Sequence, residues 1–140
     1  MKPRARRIIP IGCAVAAAVL AIIAWLGYEW FSPGSSHNQA AAIRCTLAWA
    51  RLAPLPSSAQ HIATTARGGM FTRTFDTSFT APAAEITEWL QQSPGTRESD
   101  PSAPSPEVRL YVITPGGGAS SARVTVDDKT HHVSIHVSWS

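Results

Sequence analysis

The sequence predicts an α+β fold: an N-terminal transmembrane helix followed by a small antiparallel sheet of about five strands that carries two helices on one face. Three observations lead there. Residues 8–28 form a run of uncharged, largely apolar residues; two later stretches place apolar residues at helical spacing; and the last third alternates apolar and polar residues with period two.

The chain opens with Lys2, Arg4, Arg6 and Arg7. The uncharged run from Ile8 to Tyr28 then extends about 32 Å as a helix, the thickness of a bilayer core. Trp25, Tyr28, Trp30 and Phe31 close it with the aromatic rings that favour a membrane interface. Basic residues stay on the cytoplasmic side, so the expected order is a basic cytoplasmic tail at 1–7, a transmembrane signal anchor at 8–31, a linker at 32–36 and an extracytoplasmic domain at 37–140. A cleaved signal peptide is the competing reading, with Ala40-Ala41-Ala42 imitating a cleavage site, but its apolar core would be shorter and would not end in bulky aromatics. Pro10 falls in the first turn of the expected helix, where its missing N–H breaks nothing.

Ser32-Pro33-Gly34-Ser35 interrupts the helix, and Ser36-His37-Asn38-Gln39 has capping-box spacing. A second helix is expected over 37–51, packing through Ile43, Leu47 and Ala50 with Cys45, Trp49 and Leu52 beside them, and stopped by Pro54 and Pro56. Cys45 is expected to be a buried, inert thiol, and two widely separated cysteines give no disulfide framework. A hairpin follows, with strands at 60–66 and 70–80 around Gly68-Gly69 and with Phe71, Phe75 and Phe79 on one face. Arg73 shares that face, its charge escaping at the edge or meeting a carboxylate. Pro82 opens a short helix that buries Ile86, Trp89 and Leu90, leaves Glu85, Glu88, Gln91 and Gln92 wet and ends at Ser93-Pro94-Gly95. The Pro-rich stretch 94–106 reads as a mobile surface loop. Three strands at 108–114, 122–127 and 132–139 then form an antiparallel meander, turning at 115–118 and 128–130. In the last strand Val133, Ile135, Val137 and Trp139 face the core, and His132, Ser134, His136 and Ser138 face away.

This layout of hydrophobic helix, second helix and C-terminal antiparallel sheet is loosely similar to that of type IV pilins and pseudopilins. The resemblance covers layout alone. Those proteins carry a Gly before a Phe or Met at their processing site and a Glu five residues into the hydrophobic run, whereas this run begins Ile8-Ile9-Pro10 and breaks at Pro33-Gly34.

Composition excludes several function classes. The formal charge of +3 comes from the N-terminal tail, because beyond Ser32 eight basic residues meet eight acidic ones and leave no basic excess for nucleic acid. His132 and His136 would hold one zinc on a helix, but in a strand they stand about 13 Å apart. Asp127 and Asp128 read as turn residues, and Gly116-Gly117-Gly118 as a hairpin loop without the Lys of a phosphate loop. No catalytic residue, metal or cofactor is expected. Exclusion leaves a non-enzymatic module that contacts another membrane or extracytoplasmic protein through its solvated sheet face or the Pro-rich loop, with Arg109, Arg123, His132 and His136 assigned by alternation to the polar face. The alternative is a small tethered enzyme or ligand-binding domain using the same residues.

Overall fold

A computed structural model describes residues 11–31, 36–69 and 71–140, and the chain divides between Asn38 and Gln39 into two compact units. In the first unit, helix α1 runs Ile11–Phe31. Every side chain described from 15 to 26 is exposed, Val15, Leu20, Ile23 and Trp25 among them. Among the described residues, no helix is long and apolar enough to cross a membrane. The basic tail and the start of the expected anchor at residue 8 lie outside the described residues, as does 32–35 of the expected linker.

After α2 (Ser36–Trp49), the elements are β1 (Gln60–Gly68), β2 (Arg73–Thr80), α3 (Ala83–Gln92), α4 (Pro94–Arg97), β3 (Ser102–Ser105), β4 (Val108–Ile113), β5 (Ser121–Asp127) and β6 (His132–Trp139). The six strands form one antiparallel sheet in the order β1-β2-β6-β5-β4-β3. The α+β class therefore holds, with one strand more than expected. The extra strand is β3, which lies with α4 inside the Pro-rich stretch 94–106 where a loop was expected. Pro101, Pro104 and Pro106 cannot donate to a ladder, but on an edge strand that loss is tolerated.

One face of the sheet holds the core. Val133, Ile135 and Val137 of β6 are fully buried between Phe75 and Phe79 of β2 and Val124 and Val126 of β5. Ala50 and Leu52 near the end of α2, and Ile86, Trp89 and Leu90 of α3, complete the core. Trp49 meets Phe75 edge-on and Trp89 meets Phe79 the same way, the geometry in which aromatic rings attract. Helix α2 also brings a buried hydroxyl: Thr77 donates to Thr46 at 3.2 Å and lies 2.9 Å from Thr64, so a row of threonine hydroxyls links helix, β2 and β1.

The end of α2 departs from expectation in an instructive way. It stops before the prolines, at a left-handed Arg51 (φ 54°), with Leu52 N–H on Leu47 O and Arg51 N–H on Ala48 O. That is a Schellman turn with Arg in the position glycine favours. Two further carbonyls at this end are capped from elsewhere in the fold: Gly116 N–H donates to Trp49 O and Gly95 N–H to Arg51 O, each at 2.8 Å. A Cβ on Gly95 would stand 2.2 Å from Ala50 O, so only glycine lets α4 approach this closely.

Three further expectations are corrected. Cys45 is exposed, because Thr46 takes the buried place on that face of α2. Phe71 precedes β2 and is 77% exposed, since the hairpin's pairing begins only at Gly68 and Arg73. Trp139 is on the core face but at the strand end, and is exposed. Arg73 is exposed at the start of β2 for the same reason.

Candidate interaction face

The helices of the second unit contribute to the core on one side of the sheet only, which leaves the other side open. Register fixes its contents. One row runs across five strands as Thr65, Asp76, His136, Arg123 and Val112. The rows beside it are short and hydroxyl-rich: Ser78, Ser134 and Thr125 on one side, Thr74, Ser138 and Ser121 on the other. Ser121 and Ser138 hydroxyls are 2.7 Å apart.

At the centre, His136 Nδ1 lies 2.7 Å from Asp76 Oδ1. Both side chains are partly exposed, and the pair carries two charges only when the imidazole is protonated. Arg123 stands opposite His136 on β5, exposed, with Val112 beside it 69% exposed. The chemistry offered is therefore an anion acceptor at Arg123, a histidine oriented by a carboxylate, and a field of hydroxyl donors and acceptors with one apolar contact.

Of the four residues that alternation assigned to this face, the structure brings Arg123 and His136 together. His132 shares the face two rows further along, opposite Thr80 and Asp127. Arg109 does not belong to it. It pairs in register with buried Val126, so it lies on the helix side, where its Nε and Nη2 donate to Asp128 at 2.8 and 2.6 Å and its Nη1 reaches Tyr111 Oη. The hydrogen bonds to Asp128 hold its guanidinium pKa above the ordinary value. Strand β4 carries apolar residues on both parities, Tyr111 and Ile113 on one and Leu110 and Val112 on the other, so alternation alone chose the wrong face.

Asp76 was missed because its partner is 60 residues away in sequence and the β2–β6 pairing is not local. Its position between Phe75 and Thr77, both buried, was the available signal that it points to the opposite face. Open grooves lie on the helix side, one between Pro54, Pro56, Glu85 and Trp89 and another between Gln91, Arg97, Asp100 and Tyr111. The polar face has a small dent bounded by Thr65, Asp76, Ser78 and Ser134. Among the described residues, no group of three or more His, Cys, Asp or Glu side chains could hold a metal ion. No protein-family model, curated protein or solved structure matches this chain.

Proposed function

We propose that the chain is a membrane-tethered, extracytoplasmic protein-contact module whose working surface is the open polar face of the sheet. The observation that carries this reading is the row Asp76, His136 and Arg123, set among hydroxyl side chains on a face that no helix of the second unit covers. Such a surface suits a macromolecular partner, because small-ligand sites are concave and largely apolar. The tether rests on the sequence, in which an uncharged run of bilayer length behind a basic tail gives the span and the orientation.

A photo-crosslinking residue in place of Arg123, in the full chain in its own membrane, should give a specific adduct, while the same residue in place of Gln91 on α3 should not. Arg123→Glu should abolish an adduct formed from Ser134. Adducts from the α3 position alone would overturn the assignment of the face. A C-terminal tag digested by protease added outside the inner membrane would support the orientation, and a protected tag would overturn it. A second reading, a ligand-binding or catalytic face, is favoured by one contact only, the Asp76 carboxylate that orients His136.

A further inference from the structure

The two edges of the sheet are built differently. The β3 edge is short and carries Pro104 within the strand, with Pro101 and Pro106 just outside it. The β1 edge has nine residues and no proline, and every residue but Thr64 is exposed. It is the end strand of the sheet, so its outward N–H and C=O groups have no strand beside them among the described residues. Edges of this kind are templates for another strand unless something blunts them. Two features do so in part: a register shift between Gln60 and Ala63, with His61 at φ 51°, and the single charge of Arg67. From Ala63 to Gly68 the ladder is regular.

We propose that this regular stretch pairs antiparallel with the same stretch of a second copy, about a twofold axis at Thr65, joining two sheets into one. The register argues for self-pairing. Centred on Thr65, the pairing uses 63–67 of both chains and keeps the irregular start of β1 out of the ladder. Thr65 then meets Thr65 of the partner subunit, Thr64 meets Ala66 of the partner subunit, and Arg67 meets Ala63 of the partner subunit. The strand's one formal charge is thus placed two residues from the axis, away from its own copy, and a threonine pair sits on the axis, where cross-strand hydroxyls pair well. The same register sets Ile62 opposite Gly68 of the partner subunit, beside the turn that carries Phe71. Ile62 and Phe71 are two of the large apolar side chains that the second unit leaves exposed, at 45% and 77%, and the pairing brings them to one end of the junction. On the open face, the rows through Asp76 and His136 of the two copies become continuous across the axis.

A cysteine scan of positions 63–67 tests this in the full chain, purified in mild detergent, with Cys13 and Cys45 changed to Ser. Under mild oxidation, Thr65→Cys should give the strongest disulfide-linked dimer, about tenfold above Ala63→Cys and Arg67→Cys, because only residues at the axis have Cα atoms within disulfide range. Differently tagged copies should co-purify, and Thr65→Lys, which sets two like charges face to face, should reduce co-purification about tenfold while Thr65→Val preserves it. Thr65 is exposed, so circular dichroism should be unchanged in both variants. A dimer whose yield has no maximum along β1 would show association through another part of the chain and overturn the proposal. So would the absence of any dimer, or a cross-link from position 65 to a different protein, which would assign the edge to a foreign strand.

Discussion

Asp127 opens the connection between β5 and β6, and its Oδ1 accepts the backbone N–H groups of Lys129 and Thr130 at 2.9 and 3.0 Å. Hydrogen bonding from Thr130, first through its backbone and then through its side chain, holds the Asp127 carboxyl below its ordinary pKa. A carboxyl whose folded pKa is depressed contributes stability above its unfolded value, near 4, and loses that contribution as pH falls through the folded value. Asp127→Asn keeps an acceptor oxygen but removes the charge. Its melting temperature should therefore fall below that of the parent at neutral pH, and the difference should close as pH drops below about 4. A difference that stays constant from pH 7 to pH 3 would show that the turn gains nothing from the charge. The next residue, Asp128, fixes Arg109 on the helix side, so two adjacent carboxylates serve one turn and one clamp. Both were legible as turn residues from Asp-Asp-Lys-Thr, whereas the clamp was not, because it depends on which face β4 presents.

Helix α4 shows how an element of four residues can be structural. Its Gly95 and Thr96 are buried, Gly95 N–H caps Arg51 O, and the Thr96 hydroxyl donates to Leu90 O at 2.6 Å. In Gly95→Ala the new methyl would meet the Ala50 carbonyl at 2.2 Å and the Ile113 side chain at 2.9 Å, and the nearer of these is backbone that cannot rotate away. The substitution should cost about 1–3 kcal/mol in urea unfolding, the range of overpacked cores. A loss under about 0.5 kcal/mol would mean that α4 lifts off freely. Sequence alone marked Ser93-Pro94-Gly95 as the end of α3, which it is, but the close approach that requires this glycine is a tertiary fact. Elements with a strong period were readable. Helix α3 buries Ile86, Trp89 and Leu90 as their spacing predicts, and β6 follows its alternation residue by residue from Val133 to Val137. An element without one was not: β3 is held by its position beside β4, whereas β1, which has no hydrophobic period either, was readable from the Gly68-Gly69 turn that follows it. The candidate face inherited this division. Arg123, His132 and His136 lie on strands with clear alternation, Arg109 lies on one without it, and Asp76 entered only through the β2–β6 pairing.

At the scale of the whole molecule, the second unit contains what a folded domain requires. Its buried core runs from Ala50 to Val137, with side chains from the turn after α2, from α3 and from β2, β4, β5 and β6, and Leu47 and Trp49 of α2 pack against it. Among the described residues, no buried side-chain nitrogen or oxygen lacks a hydrogen-bond partner. The strand pairing β2–β6 closes the sheet around a long sequence separation, which ties the early hairpin to the last strand and makes partial unfolding of either costly. The fragment 36–140, which keeps the first turn of α2 and omits α1, should therefore unfold in urea as one cooperative transition, seen at the same midpoint by circular dichroism and by tryptophan fluorescence. Trp49 and Trp89 report from the two aromatic contacts that join the helices to the sheet, so fluorescence follows packing while circular dichroism follows backbone. Phe75→Ala in this fragment should cost about 3–5 kcal/mol, because the ring is 5% exposed and its loss leaves a cavity against Trp49. Two separated transitions would show that the β1–β2 hairpin and the β4–β6 meander unfold independently. A Phe75→Ala loss below about 1 kcal/mol would show that the contact between α2 and β2 does not hold the domain together, and the single core described for this unit would have to be divided.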